Sequence, residues 1–198
     1  MEVLPQAIED VLLVKPKAFG DHRGFFLETF QAARYLEAGI PAKGCGPFVQ
    51  DNVSRSRKGI LRGLHLQHPH GQGKLVQVVR GAVFDVAVDV RVGSPTFGQW
   101  VGAELTEENH HQLWIPPGFA HGFLVTSEDA LFAYKCTDTY HPEAELSVRW
   151  DDPAVGVAWP DVGEAPALSE KDAAAPLLSA IPEEKLPTWE GRETCVPS

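Results

Sequence analysis

Three histidines stand within six residues of one another in the stretch RGLHLQHPHGQGK, residues 62–74. His65, His68 and His70 could form a metal site, or one of them could be a catalytic base beside two turn residues. Small metal-binding β-barrels of the cupin type carry His-x-His, a glutamate a few residues later, and a third histidine in a PxGxxH element.

The later element of the cupin pattern is present, and the earlier one is altered. His121 ends the stretch PPGFAH, and His65 fits the first histidine. Gln67 replaces the second histidine, and the best counterpart of the glutamate is Lys74. An ammonium group has no lone pair to donate and repels a divalent cation. The pattern therefore indicates a cupin-like site in which a fixed positive charge replaces the metal.

A lysine beside a histidine suits proton abstraction next to a carbonyl group, because the base takes the proton and the cation stabilises the enolate oxygen. If Lys74 is buried, its charge needs an anion to offset it. The alternative is an exposed lysine at the end of a strand. His68 and His70 flank Pro69 and are predicted to be loop residues, with zinc binding by the three histidines as the alternative.

The elements that must position these residues are predicted to be strands. In AVFDVAVDV, residues 82–90, Phe84, Val86, Val88 and Val90 fall on one face, and Asp85 and Asp89 fall on the other with Val83 and Ala87. This period of two predicts a strand. Further strand-like runs are LVQVV (75–79), QWVGAEL (99–105), HQLWIP (111–116), GFLVTS (122–127), LFAYKCT (131–137) and LSVRW (146–150). Many short strands separated by glycine and proline predict an all-β sandwich or barrel.

Helices are predicted to be few, short and mainly C-terminal. QAARYLEA, residues 31–38, has helical character and is followed by Gly39 and Pro41 as a stop signal. A helical segment is expected at about residues 163–182, where SEKD resembles a capping box. No repeat or linker divides the chain, so residues 1–198 are predicted to be one domain with a loosely packed polar tail.

Composition excludes several classes of protein. The net charge of −10 and the pI of about 5.2 argue against a surface for nucleic acid or anionic membranes. Cys45, Cys136 and Cys195 are odd in number and far apart, which predicts reduced thiols and a cytoplasmic location. No apolar run approaches the roughly 20 residues of a membrane span, and no signal peptide is expected.

Around His65, Lys74 and His121, and over much of the rest of its length, the chain strongly resembles the dTDP-4-dehydrorhamnose 3,5-epimerase family. The resemblance implies a cupin-type jelly-roll β-barrel, a homodimer, and catalysis without a metal or an organic cofactor. The matching stretches cover most of residues 19–176 and are DHRGFFLETF, FVQDNVSRSRKGILRGLHLQ, QGKLVQVVRGAVFDVAVDVRVGSPTFGQW, ENHHQLWIPPGFAHGFLV, YKCTDTYHPEAE, WDDPAVGVAWP and LSEKDAAAP.

The resemblance also implies catalytic roles. His65 would be the general base that removes the proton from C3 or C5, which both flank the C4 ketone. Asp172 would orient the imidazole, Lys74 would stabilise the enolate, and Tyr134 would deliver a proton to the opposite face. The sequence alone leaves other roles open, because Asp172 suits the acid of a capping box. Tyr134 suits a core tyrosine whose hydroxyl is hydrogen-bonded.

The substrate-binding residues follow from the resemblance in the same way. His121 would hydrogen-bond beside the sugar, and Tyr140 would line its pocket. Arg62 and Lys171 would lie near the diphosphate, and Gln50 and Asn52 at the sugar-phosphate end. The residues implied for thymidine binding, which reach across from the other subunit of the dimer, are Phe19, Arg23, Phe26 and Glu28. The stretch RGFFLE also suits a strand with one buried phenylalanine face.

These observations predict an epimerase that acts on dTDP-4-keto-6-deoxy-D-glucose at C3 and C5 in deoxysugar biosynthesis of the dTDP-L-rhamnose type. A monoepimerase that inverts only C3 is the closest alternative, because the four catalytic positions suit both. A metal-dependent cupin and a non-catalytic nucleotide-sugar-binding protein are alternatives from other classes. Gln67 and Lys74 argue against the metal-dependent cupin, and the presence of His65 and Tyr134 argues against the binding protein.

Overall fold

The structure is a computed structural model that describes residues 1–190, so Cys195 and the end of the predicted polar tail lie outside the described residues. Residues 1–190 form thirteen strands and two short α-helices, α1 (Ala32–Glu37) and α2 (Glu170–Ala173). Single 3₁₀ turns occur at Pro142–Ala144, Leu178–Ala180 and Glu183–Lys185. The strands are β1 (Glu2–Pro5), β2 (Leu12–Lys15), β3 (Ala18–Asp21), β4 (Gly24–Leu27), β5 (Gln50–Arg57), β6 (Leu61–Gln67), β7 (Lys74–Arg80), β8 (Ala82–Asp89), β9 (Trp100–Thr106), β10 (Gln112–Ile115), β11 (Phe119–Val125), β12 (Asp129–Cys136) and β13 (Glu145–Ser147).

Two antiparallel sheets form the body of the fold. One sheet has the strand order β1-β2-β10-β7-β12-β5, and the other has the order β13-β6-β11-β8-β9. Strands β3 and β4 form a separate two-stranded hairpin. The main core lies between the large sheets and includes Val76, Leu113, Phe123 and Phe132. The prediction of an all-β, cupin-type jelly roll is confirmed.

The alternation predicted for β8 is present, but both faces of this strand are buried. Val83 and Ala87 pack into the main core, whereas Val86 and Val88 pack in a second cluster. That cluster includes residues from the C-terminal segment, which covers the outer face of the sheet. Asp85, on the side of the main core, is therefore completely buried.

The helix predicted at residues 31–38 is confirmed to within one residue at each end. The Gln31 side chain caps α1 by accepting a hydrogen bond of 2.6 Å from the backbone N–H of Arg34. The segment at 163–182 is less helical than predicted, because only α2 and the turn Leu178–Ala180 are helical. Pro176 and Pro182 lack the N–H that a continuing helix needs.

Two other expectations differ from the structure. Strand β11 begins three residues before the predicted run, at Phe119, because the chain enters the strand directly from the turn at Pro117 and Gly118. RGFFLE does contain a strand, β4, but the expected buried phenylalanine face is wrong for the single chain. Phe25 is 63% exposed and Phe26 70% exposed, since the hairpin belongs to neither large sheet.

No helix among residues 1–190 is both long enough and apolar enough to cross a membrane.

Candidate active site

The four predicted catalytic residues line a single cavity of about 430 Å³. This volume lies in the range of small-molecule sites. Three of the predicted binding residues, Arg62, His121 and Lys171, line the same cavity. A larger cleft of about 770 Å³, lined by Gln67, His70 and Trp114 among others, contains none of the four catalytic residues. The chemistry of the site is therefore concentrated in the smaller cavity.

His65 and Asp172 form a dyad at one wall of the cavity. The Nε2 atom of His65, in β6, lies 2.5 Å from Oδ1 of Asp172, in the first turn of α2. The Asp172 carboxylate is buried and also accepts a 3.4 Å hydrogen bond from the backbone N–H of Gly63. Ser169 caps the helix by accepting a hydrogen bond from the backbone N–H of Asp172. The Asp172 carboxylate therefore bonds to His65 and Gly63, whereas only the backbone N–H of Asp172 takes part in the helix cap.

The environment of His65 favours its neutral form. Burial lowers the pKa of His65, the nearby charge of Lys74 lowers it further, and Asp172 and Glu145 partly oppose these effects. With a hydrogen bond from Nε2–H to Asp172, the Nδ1 atom keeps its lone pair. The geometry therefore leaves His65 with a nitrogen that can accept a proton.

A close approach of β6 and β11 sets the position of His65. Gly63 has a φ of +123°, and a Cβ atom there would lie 2.6 Å from Cα of Gly122 and 2.7 Å from the carbonyl oxygen of His121. Only glycine fits such a contact without a shift of the backbone. The two strands then pair with His65 directly opposite His121. This register brings both histidines to the cavity.

Lys74 is the first residue of β7 and is partly buried in the cavity wall. This burial lowers the pKa of Lys74, while Cys136, Asp85 and Glu145 raise it to a smaller extent. The two carboxylates already have partners, because Asp85 pairs with His121 and Glu145 with Lys171. The Lys74 charge is therefore available to an anion that forms in the cavity.

Tyr134 approaches the cavity from the other large sheet, in β12. Its ring packs against Phe132 with a centroid distance of 5.9 Å. Burial raises the pKa of Tyr134, and the charge of Arg62 opposes that rise. The hydroxyl group therefore keeps its proton at neutral pH. The ring contacts the core, as the alternative interpretation expected, but the residue also lines the cavity.

The sequence analysis missed Asp85 as a site residue. Its carboxylate oxygens lie 2.9 and 3.1 Å from Nε2 of His121, and both side chains are buried. Burial raises the pKa of Asp85, and His121 and Lys74 lower it. The available signal was an acidic residue on the face of β8 that also carries Val83 and Ala87. An acid on a core-facing position usually has a buried partner.

Glu145 is a second residue that was missed, and it connects several predicted binding residues. Its carboxylate pairs with Lys171 at 2.5 Å and accepts a 2.9 Å hydrogen bond from the hydroxyl of Tyr140. Burial raises the pKa of Glu145, but these two partners hold it below its ordinary value. The nearest signal in the sequence was its place at the end of the stretch YKCTDTYHPEAE, which carried the family resemblance.

The remaining polar residues form a rim beside the cavity. Gln50 accepts a 2.9 Å hydrogen bond from the backbone N–H of Tyr140 and donates one of 3.1 Å to Asn52. Asn52 pairs in register with Tyr134. Arg62 lines the cavity, and its Nε–H donates a hydrogen bond of 2.9 Å to Ser56. The structure thus places Gln50, Asn52 and Tyr140 beside the catalytic residues, although they do not line the cavity itself.

The residues predicted to hold thymidine are not at the cavity of their own chain. Phe19, Arg23 and Phe26 lie on the exposed β3–β4 hairpin, and Glu28 follows it. Arg23 pairs with Asp21, and Glu28 pairs with Arg34. If these residues bind substrate, they do so at the cavity of a second subunit. That they reach across a dimer stays a prediction.

The three clustered histidines do not share one site. His65 lies in the cavity, and His68 and His70 follow the end of β6. Gln67, at the position of the second cupin histidine, is buried and donates a 2.8 Å hydrogen bond to the carbonyl oxygen of His70. Its amide therefore stabilises a loop, and Gln67 does not line the catalytic cavity.

Comparisons with known proteins agree on one family. The family model for dTDP-4-dehydrorhamnose 3,5-epimerase matches residues 5–180. The chain is 55% identical over 179 residues to the dTDP-4-dehydrorhamnose 3,5-epimerase of Salmonella typhimurium. This alignment covers 90% of this chain and 96% of the relative. It is 40% identical over 181 residues to a dTDP-4-dehydrorhamnose 3-epimerase of Streptomyces niveus. This alignment covers 90% of this chain and 84% of the relative.

A solved structure shows the same similarity in three dimensions. The crystal structure of dTDP-6-deoxy-D-glucose-3,5-epimerase from Legionella pneumophila, in complex with dTDP-4-keto-L-rhamnose, superposes on this chain with a TM-score of 0.92. The two proteins are 55% identical, and the alignment covers 96% of this chain and 99% of the other.

Proposed function

The chain belongs to the dTDP-4-dehydrorhamnose 3,5-epimerase family and is an epimerase, and we propose that it inverts C3 and C5 of dTDP-4-keto-6-deoxy-D-glucose through enolate intermediates. The product would be the 4-keto sugar of the dTDP-L-rhamnose series. One observation carries the proposed mechanism: a histidine–aspartate dyad, a lysine whose neighbouring carboxylates have other partners, and a protonated tyrosine line one cavity.

The C4 ketone makes the protons on C3 and C5 acidic, because the electrons left by deprotonation move onto the ketone oxygen. The Nδ1 atom of His65 takes the proton, and the carbon–hydrogen electron pair becomes the double bond of the enolate. The ammonium group of Lys74 stabilises the enolate oxygen. Asp172 stabilises the imidazolium that results, as a carboxylate does in other histidine dyads.

Inversion then requires a proton from the opposite face of the sugar. The hydroxyl of Tyr134 gives its proton to the carbon, and the enolate collapses to the ketone. His65 then releases its extra proton to solvent, and the Tyr134 phenolate takes up a proton from solvent, which restores the enzyme. The raised pKa of Tyr134 keeps its proton in place before this step. His65 and Tyr134 come from different sheets, which supports their approach to the sugar from two sides.

Side chains, rather than a glycine-rich loop, would hold the nucleotide. Arg62 can contact a phosphate with its guanidinium group, and Lys171 lies at the same cavity. We propose that His121, Tyr140, Gln50 and Asn52 contact the sugar and its phosphate end. The thymidine would be held by Phe19, Arg23, Phe26 and Glu28.

The exposed β3–β4 hairpin supports a homodimer in which each subunit completes the site of the other. Phe19 and Phe26 expose 57% and 70% of their surface in the single chain, and aromatic side chains of this kind suit stacking on a base. We also propose that the enzyme works in the cytoplasm, in agreement with the predicted reduced cysteines.

A C3-only monoepimerase remains the second candidate, and the 3-epimerase of Streptomyces niveus supports it. Both activities need the same base, acid and cation, so the difference lies in how the sugar is presented to Tyr134. The metal-dependent cupin has less support, because Gln67 and Lys74 stand where that class has a histidine and a carboxylate.

The proposed activity is tested with chain that has been dialysed against a strong chelator. We expect it to convert dTDP-4-keto-6-deoxy-D-glucose to dTDP-4-keto-L-rhamnose at the same rate as untreated protein, since the cation at the site is Lys74. Proton NMR of the product and metal analysis of the protein are the measurements. Absence of conversion would overturn the function, whereas a loss restored by added metal would overturn only the metal-free mechanism.

Lys74→Met is expected to reduce kcat by about 10²–10³-fold, the effect of removing one group that stabilises a developing oxyanion. The same change is expected to stabilise the fold by about 0.5–2 kcal/mol. Burial lowers the pKa of Lys74 in the folded chain below its ordinary 10.5, so the protonated form destabilises the fold at neutral pH, and this penalty disappears as the pH rises past 10.5. Enzyme kinetics and urea denaturation measure the two effects.

Lys135→Met is the matched control. Lys135 lies in β12, the strand that pairs with β7, but its side chain forms an ion pair with the exposed carboxylate of Asp51. We expect little change in either quantity from this control. A Lys74→Met enzyme with wild-type kcat would show that Lys74 does not stabilise the enolate.

A further inference from the structure

A second group of potential ligands lies outside the catalytic cavity. His70 follows β6, and Asp138 and His141 follow β12. The ligand atoms of these three residues all lie within 4.8 Å of one another. One oxygen of Asp138 is 3.6 Å from Nδ1 of His70, and the other is 3.9 Å from Nε2 of His141. The carboxylate therefore lies close to both imidazoles. Its oxygen nearer His141 also accepts a 2.7 Å hydrogen bond from the backbone N–H of Thr139, and Nε2 of His141 lies 3.2 Å from Oγ1 of Thr139.

These distances are close to those around a bound ion. Two ligands of a tetrahedral zinc ion, each about 2.1 Å from the metal, are about 3.4 Å apart. Each histidine–aspartate pair would need to close by roughly half an ångström or less to reach that spacing. The imidazoles stack at 4.0 Å, and His70 is 47% exposed, so its ring has room to rotate towards an ion.

The backbone of the cluster is held in place by a buried amide. The side chain of Gln67 donates to the carbonyl oxygens of His70, at 2.8 Å, and Thr139, at 3.2 Å. It also accepts a hydrogen bond of 2.9 Å from the backbone N–H of His141. A single side chain thus connects the two loops that carry the three ligands, which reduces the ordering that an ion must impose.

A second carboxylate supports one of the ligands. Oε1 of Glu143 lies 3.3 Å from Nδ1 of His141, the ring nitrogen opposite the one that faces Asp138. A carboxylate that accepts from the far nitrogen is the usual support of a metal-binding histidine, because it fixes the ring and the tautomer.

We propose that His70, Asp138 and His141 bind one divalent transition-metal ion, with Zn²⁺ as the favoured ion and water completing its coordination. Two imidazoles and one carboxylate suit Zn²⁺, whereas Mg²⁺ and Ca²⁺ prefer sites made of oxygen ligands. The ion would join the loop after β6 to the loop after β12. No residue of the cluster lines the catalytic cavity, so the proposed metal-free catalysis does not require this ion.

The test is a calorimetric titration of tag-free, chelator-stripped chain with Zn²⁺. We expect saturable binding of one ion per chain, and a loss of affinity of at least about 10-fold in both His70→Asn and His141→Asn. Glu143→Gln should lower the affinity by about 10–100-fold, because it supports His141 without touching the ion. His68→Asn, a histidine of the same loop, and His65→Asn, in the catalytic cavity, are controls that should bind Zn²⁺ as the wild type does.

The X-ray absorption spectrum of the wild-type chain with one equivalent of Zn²⁺ provides a measurement that needs no variant. We expect a first shell of two imidazole nitrogens with oxygen donors. The proposal is overturned if the wild type shows no saturable binding, if His141→Asn binds Zn²⁺ with wild-type affinity, or if the spectrum contains no imidazole. Thermal denaturation in the presence of chelator checks that each variant is folded.

Discussion

His65→Asn is expected to abolish nearly all proton exchange at C3 and C5 of the substrate while the chain remains folded. Asparagine can keep a hydrogen bond near Asp172, but it has no nitrogen that accepts a proton at neutral pH. General acid–base catalysis contributes on the order of 10²–10⁴-fold, and this step depends on the base alone. NMR of substrate incubated with the variant in deuterated water measures the exchange, and circular dichroism measures the folding.

Two variants give that result its meaning. Asp172→Asn should slow exchange less than His65→Asn, because orienting the imidazole is secondary to supplying the base. His68→Asn should leave exchange unchanged, since this histidine lies outside the cavity. Near-normal exchange in His65→Asn would show that another residue is the base.

Tyr134→Phe is expected to permit proton exchange and to prevent or strongly reduce inversion. His65 can still remove a proton in this variant, and solvent deuterium can return through the same histidine to the same face of the sugar. Delivery from the opposite face needs the missing hydroxyl, whose contribution as a general acid is on the order of 10²–10⁴-fold. NMR of the product in deuterated water reports both the deuterium content and the configuration at each carbon.

Tyr140→Phe is the control for the loss of a hydroxyl near the sugar. This change removes the hydrogen bond to Glu145 but leaves the proposed acid in place, so inversion should continue with weaker substrate binding. Inversion by Tyr134→Phe at the wild-type rate would make water or another side chain the acid. Tyr134 would then be a core tyrosine that borders the cavity.

Local patterns were enough to predict much of the fold. The alternation in β8 and the stop signals after α1 each depend on residues close in sequence, so a short stretch specifies the element. The departures at Gln67 and Lys74 could likewise be read from spacing alone. Strands β1, β2 and β5 were among those not predicted. The four residues of β1 and of β2 show no alternation of apolar and polar residues, and β5 contains only one apolar residue, Val53.

The partners of the site residues depend on contacts between distant parts of the chain. Asp85 becomes a site residue only because β11 places His121 beside it, and Glu145 only because α2 brings Lys171 within reach. The sequence could not decide between capping and orientation for Asp172 for the same reason, because its contact with His65 joins distant parts of the chain. The family resemblance supplied the dyad, but the burial of its carboxylate is a property of the tertiary structure.

The most direct test of the proposed double epimerisation is to follow the wild-type enzyme and its substrate by NMR in deuterated water. The mechanism predicts deuterium at both C3 and C5, with both centres inverted in the product. Inversion at C3 alone would contradict the proposed function and identify a monoepimerase, even if C5 also exchanged its proton.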